Sequence, residues 1–160
     1  MEPSLPKTEV SIREAMTTES AIILRHRRSM FSEMGEGSAE ELDRMAEVTA
    51  PWLERALADG LYRHWFAVDA AADIAGGGGV LLCPWPASPV NPITQRAVIL
   101  NIYTEPEFRR RGIARQIMQT ILAWVKEQGF RSVSLHASDE GRNLYEKLGF
   151  QPTNEMRLKL

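Results

Sequence analysis

The residues best suited to chemistry are three consecutive arginines followed by small residues, between an apolar segment and a helical pattern. The run reads Arg109-Arg110-Arg111-Gly112-Ile113-Ala114-Arg115. A helix N-terminus has unpaired backbone N–H groups and a partial positive charge. Gly112 and Ala114 let an anion approach that backbone closely, and the arginines add positive charge. The segment therefore predicts a diphosphate site, whereas three arginines alone would equally suit a solvated surface.

Tyr145 lies on the apolar side of a short helical pattern. By itself, this position favours a core tyrosine whose hydroxyl is hydrogen-bonded.

Metal chemistry finds no support in the sequence. His26, His64 and His136 are not spaced as metal ligands. The single cysteine, Cys83, excludes an internal disulfide and a cysteine-based zinc site. We expect no metal.

Length and charge limit the class of protein. The chain has 160 residues, 19 basic and 21 acidic, for a net charge of −2. This suits one domain and argues against nucleic-acid binding through a global basic field. No apolar run approaches the roughly 18 residues of a membrane helix, and the N-terminus lacks a signal-peptide pattern. We expect a cytoplasmic protein without membrane contact, with a flexible tail at 1–8 and a single domain at 9–160.

The elements that must position these residues follow from hydrophobic periodicity. Helices are predicted from Thr17 or Thr18 to about 34, from Ser38 onward, from 113 to about 128, and from Ser138 or Asp139 to about 148. Pro51 should break or kink the second helix. The glycine run at 76–79 favours a bulged or flexible strand over a phosphate loop, because no Gly-Lys-Ser/Thr follows. Strands are predicted at 10–13, 65–68, 74–82, 97–104, 132–136 and 156–160.

The arginine and tyrosine segments together resemble the GCN5-related N-acetyltransferase (GNAT) family. Its signature, Gln/Arg-x-x-Gly-x-Gly/Ala, is matched by residues 109–114, after a strand and Pro106. The later Leu144-Tyr145-Glu146-Lys147-Leu148-Gly149-Phe150 matches as well. The resemblance is close over residues 96–150 and extends over the whole chain in element order. It implies an α/β fold with a mixed, largely antiparallel central sheet, one parallel strand–helix–strand crossover, and flanking helices.

The resemblance also implies roles for individual residues. Acetyl-CoA would be the co-substrate, and its pyrophosphate would lie on backbone N–H groups at 110–115. The strand end would bind the acetyl carbonyl and pantetheine through its main chain, where strands of this family bulge and diverge. Tyr145 would protonate the leaving thiolate as general acid, after direct attack by an amine. The implied acetyl-CoA-binding residues are Ile102, Tyr103, Thr104, Arg109, Arg110, Arg111, Gly112, Ile113, Ala114, Arg115 and Ser138.

The general base stays open at this stage. Many relatives place a carboxylate on a central strand, and the strand at 132–136 has none. Ser138 stands where the family often has Asn. The candidates for the base are Glu33, Glu105, Tyr103, His136 and water.

Charge along the chain suggests an acceptor class. Residues 33–59 hold eight acids and two arginines, a net of −6, and residues 106–131 hold six bases and two acids, a net of +4. One segment suits an anionic co-substrate, and the other could attract a cationic amine or be a solvated helix face. We expect a small-molecule amine acceptor; the alternatives are a protein or peptide acetyltransferase and a non-catalytic acyl-CoA-binding module. A homodimer through the last strand is a further prediction.

Overall fold

A five-stranded sheet organises the fold in a computed structural model, which describes residues 9–160. The predicted tail at residues 1–8 lies outside them. The strand order is β1-β2-β3-β4-β5, with antiparallel pairing from β1 to β4 and parallel pairing of β4 with β5. The predicted fold class is therefore confirmed. The strands are β1 (Val10–Glu14), β2 (Tyr62–Asp69), β3 (Ile74–Pro84), β4 (Gln95–Thr104) and β5 (Ser134–Leu135).

Four α-helices cover the two faces of this sheet in the described part of the chain. They are α1 (Ser20–Glu33), α2 (Ala39–Ala58), α3 (Ile113–Glu127) and α4 (Asp139–Lys147). Successive strand residues face opposite sides of a sheet, and two buried clusters result. One joins α1 and α2 to Tyr62 and Phe66 of β2. The other joins α3 to Trp65 and Ala67 of the same strand. Within residues 9–160, no helix is long and apolar enough to cross a membrane.

The glycine run lies inside β3 and is buried. A Cβ added at Gly79 would lie 2.3 Å from the Tyr62 hydroxyl oxygen, and one added at Gly77 would lie 2.5 Å from Nε2 of His64. The glycines therefore make room for two rings of β2, which confirms a strand rather than a phosphate loop.

A bulge interrupts β4 close to its end. The register passes from Gly79 opposite Leu100 to Gly77 opposite Tyr103, so β4 carries one extra residue there. Asn101 adopts a positive φ of 60° at this point. Beyond Ile99, β4 no longer pairs with the short β5. The two strands therefore diverge, and a bulge commonly re-aims a strand in this way.

Two local predictions were wrong, and a third was wrong in part. Pro51 does not break α2, which continues through it, because Leu53 and Ala56 beyond it are buried in the α1–α2 core and tertiary packing offsets the lost helical hydrogen bond; a kink at Pro51 stays a prediction. Residues 156–160 form no strand and are exposed, since an alternating pattern makes a strand only where it finds a partner. The threonines at 17 and 18 belong to a 3-10 turn rather than capping α1.

Candidate active site

A cleft of about 230 Å³ lies between the end of α1, the end of β4 and α4. It brings together seven of the predicted site residues: Ile102, Tyr103, Thr104, Arg109, Ala114, Ser138 and Tyr145. The cleft also includes residues that the sequence did not single out: Met30, Met34, Glu140, Gly141 and Leu144. Glu33, one of the predicted base candidates, completes the lining.

The remaining predicted residues lie in the turn that leads from β4 into α3 and in the first turn of that helix. Arg110 and Gly112 adopt positive φ values of 62° and 78°, and Gly112 is the N-cap of α3. A Cβ added at Gly112 would meet no atom within 4 Å, so open space faces this turn. Buried Ile113 anchors the start of the helix, whereas Arg115 is exposed.

This turn has the features of an anion site. The first N–H groups of a helix lack intrahelical acceptors, and left-handed residues in such turns help to direct N–H groups toward one point. Gly112 allows the turn without the strain that a side chain would bring at positive φ. The chain therefore fits a diphosphate here, beside the cleft rather than inside it.

Tyr145 lies on α4 with its ring partly buried against the cleft. Its ring meets that of Phe150 edge to face, with centroids 6.0 Å apart. Burial raises the pKa of the Tyr145 hydroxyl above its ordinary value. The phenol is therefore protonated at neutral pH and can act as a proton donor.

Gly141 determines how closely the backbone approaches the Tyr145 ring. A Cβ at Gly141 would lie 2.6 Å from Cε2 of Tyr145 and 3.2 Å from the Ser138 oxygen. Ser138 caps α4, and its Oγ accepts the Gly141 N–H at 3.1 Å. The sequence could have predicted this contact, since residues four apart, such as Gly141 and Tyr145, are neighbours on a helix.

Glu33 connects the end of α1 to the end of β4 and to the turn that follows β4. Its Oε1 accepts a hydrogen bond from the Tyr103 hydroxyl at 3.1 Å, and its Oε2 accepts one from Nη2 of Arg109 at 2.6 Å. Arg109 also donates from Nε to the Thr104 carbonyl at 2.9 Å. Burial and the hydrogen bond to Glu33 raise the pKa of Tyr103, so this phenol is a poor base.

Two other base candidates lie away from the cleft. Glu105 accepts hydrogen bonds from Arg25 and, at 3.1 Å, from His26 Nε2. Burial by itself would raise the pKa of Glu105, but the hydrogen bond from Arg25 and its positive charge hold that pKa below its ordinary value. Glu105 lines a separate cavity with Arg25. His136 is 61% exposed and lies 3.3 Å from Glu155.

A chain of buried polar groups supports the bulge of β4. Asn101 accepts from Nη1 of Arg27 at 2.8 Å and donates to the Tyr62 hydroxyl oxygen at 2.8 Å. The Tyr62 hydroxyl then donates to Nδ1 of His64 at 2.9 Å. Burial lowers the pKa of His64 to about 3, so the ring is neutral. These side chains fix Asn101 in its left-handed conformation, and the sequence analysis missed them.

Comparisons with known proteins agree with this architecture. Residues 25–150 match the model of the acetyltransferase (GNAT) family. The structure is similar to that of a GCN5-related N-acetyltransferase from Ralstonia eutropha JMP134, at 33% identity and a TM-score of 0.88, covering 95% of this chain and 99% of that one. It is also similar to a predicted acetyltransferase with acetyl-CoA from Clostridium acetobutylicum, at 26% identity and a TM-score of 0.83, covering 95% and 96%.

A curated human protein matches over a shorter stretch. N-acetyltransferase 8 from Homo sapiens is 29% identical over 64 residues, which are 38% of this chain and 28% of that protein.

Proposed function

The chain belongs to the acetyltransferase (GNAT) family, and on this premise we propose that it transfers an acetyl group from acetyl-CoA to the primary amine of a small, cationic acceptor. The similar structure from Clostridium acetobutylicum is described with acetyl-CoA, which supports the choice of acyl donor. The single observation that carries the proposal is the position of Tyr145. A protonated, partly buried phenol lines the same cleft as the main chain of β4 after its bulge.

The diphosphate, pantetheine and acetyl parts of acetyl-CoA can each be assigned to groups in this arrangement. The backbone N–H groups at 110–115 would hold the diphosphate. Ile102, Tyr103 and Thr104 border the cleft, and their main chain would bind the pantetheine amides and the acetyl carbonyl. A carbonyl held by fixed donors is polarised for attack, and holding both reactants in one cleft supplies much of the rate.

The reaction needs no covalent enzyme intermediate. A neutral amine attacks the thioester carbon directly, and the Tyr145 hydroxyl protonates the sulfur that leaves. Ser138 uses its oxygen to cap α4, which leaves its hydroxyl hydrogen for a pantetheine carbonyl.

The acceptor class rests on charge in the cleft. Among its described lining residues, Glu33 and Glu140 are carboxylates and Arg109 is the guanidinium. The other acids of residues 33–59 lie on or near α2, outside the lining, so the steering of a cationic amine depends on these two. The cytoplasmic location stays a prediction, and so does the homodimer, although residues 156–160 form no strand through which it could pair.

Tyr145→Phe tests the proposal, because it removes the proton donor and keeps the ring. The release of free CoA is measured with a panel of small amines, basic peptides and amino acids. We expect kcat to fall about 10²-fold or more, while acetyl-CoA affinity, measured by calorimetry, stays within about twofold. Unchanged turnover would remove Tyr145 from the mechanism. Acetyl-CoA binding by the parent chain without turnover of any amine would favour a binding module instead.

A further inference from the structure

A carboxylate at the end of α1 lines the same cleft as the proposed proton donor. Glu33 is the last residue of α1 and lines the cleft together with Tyr145. Glu105 and His136 lie outside the lining, and the Tyr103 hydroxyl donates to Glu33 rather than accepting a proton.

The hydrogen bonds from Tyr103 and Arg109 fix the orientation of the Glu33 carboxylate and leave some of its acceptor positions open. Among residues 9–160, Oε1 accepts one hydrogen bond, from Tyr103, and Oε2 accepts one, from Arg109. A carboxylate offers about four acceptor positions, two on each oxygen. Each oxygen therefore keeps one position for an incoming N–H, and the carboxylate is held in place before the acceptor arrives.

We propose that Glu33 is the general base of the transfer and that Arg109 and Tyr103 are its positioning residues. This assignment rests on the proposed acetyl transfer. The lone pair of the acceptor nitrogen forms the C–N bond, and the pair of the C–S bond leaves with sulfur. Glu33 takes the proton from nitrogen as the Tyr145 hydroxyl gives its proton to sulfur. Solvent then returns a proton to the phenolate and removes one from Glu33.

The location of Glu33 explains how the chain functions without a carboxylate on β5. Tyr103 and Arg109 reach it from β4 and from the following turn, 70 and 76 residues along the chain. The proposed base thus comes from the end of α1 and the proposed acid, Tyr145, from α4, and both line one cleft.

Glu33→Gln tests this assignment, since the amide keeps the size of the side chain and can still accept from Arg109. We expect kcat with an alkylamine to fall about 10²-fold or more and the Kd for acetyl-CoA to stay within about twofold. Glu36→Gln is the matched control, because Glu36 is an exposed acid three residues away that does not line the cleft. It should leave kcat within about twofold.

A second readout separates a base from a structural anchor. In Glu33→Ala, added formate should restore part of kcat, whereas chloride at the same ionic strength should not, and Glu33→Asp should keep more activity than Glu33→Ala. The assignment is overturned if Glu33→Gln retains its kcat, if acetyl-CoA affinity falls in parallel with kcat, or if formate and chloride act alike. Absence of turnover by the parent chain with every amine would overturn the proposed function itself, whereas an active Glu33→Gln would overturn the base alone.

Discussion

Gly141→Ala should reduce activity without reducing stability, because of the contact between Gly141 and the Tyr145 ring. An added methyl carbon would lie 2.6 Å from Cε2 and 3.1 Å from Cζ of that ring. Carbon atoms prefer separations of about 3.5–4.0 Å, so the ring must move by about 1 Å. The hydroxyl moves with it and leaves the position from which we propose that it protonates the sulfur.

The expected magnitude follows from this displacement. A misplacement of about 1 Å can lower a rate about 10²-fold, and we expect kcat to fall between about 10- and 100-fold. Alanine is a better helix former than glycine by about 0.5–1 kcal/mol, which offsets the cost of moving a partly buried ring. The free energy of unfolding should therefore stay within about 1 kcal/mol of the parent.

A double-mutant cycle gives the sharpest assay. CoA release is measured for Gly141→Ala, Tyr145→Phe and the double variant, and urea unfolding is followed in parallel. If the hydroxyl is what the methyl displaces, Gly141→Ala should cost little further activity once Tyr145 is Phe. Asn143→Ala, at an exposed position of the same helix, controls for the gain in helix propensity.

Two results would refute the reasoning. One is a Gly141→Ala enzyme with the kcat of its parent, which would show that the ring tolerates the methyl or that its position does not matter. The other is an equal loss from Gly141→Ala in the parent and in the Tyr145→Phe background, which would place the effect elsewhere in α4.

The remaining predictions concern stability. Folding holds the pKa of His64 near 3 against 6.5 for the free side chain, so the stability it contributes is present above 6.5 and is lost as pH falls. Between pH 7 and pH 5 the free energy of unfolding should fall by about 2 kcal/mol on account of His64. Urea unfolding at the two pH values should show that His64→Gln removes this loss and that His136→Gln keeps it. An equal dependence of the free energy of unfolding on pH in the two variants would contradict the argument, and NMR titration of the His64 ring is a direct check. Gly79→Ala should cost about 3 kcal/mol or more, because its methyl would lie 2.3 Å from the Tyr62 oxygen. Gly60→Ala, at φ +71° with no atom nearby, should cost only about 1 kcal/mol; equal losses in the two glycine variants would count against the steric explanation.

The family resemblance assigned acetyl-CoA binding to residues several of which the structure brings to one cleft. The motif at 109–114 and the motif around Tyr145 each span only a few residues, so both can be recognised in the sequence. The structure brings Arg109, Ala114 and Tyr145 to one cleft. The charge totals along the chain were less informative. Among the acids of residues 33–59, only Glu33 lines that cleft.

Contacts between distant residues could not be predicted in this way. Glu33 and Arg109 meet across 76 positions, and hydrophobic periodicity places neither side chain relative to the other. Asn101 illustrates the same limit, since its bulge depends on Arg27 and Tyr62 from other elements. The proline in α2 was misjudged because propensity is a local quantity, whereas the burial of Leu53 is a property of the assembled core.

The separation of the two hydrophobic clusters matters for redesigning specificity. Met30, Glu33 and Met34 belong to the end of a helix that packs on the α1–α2 cluster, whereas Ala114 and Tyr145 are carried by helices on the α3 side. Neither Met30 nor Met34 belongs to either buried cluster, although both line the cleft. A library randomised at these two positions can therefore change the α1 side of the cleft and search for new acceptors without opening a cavity in either core.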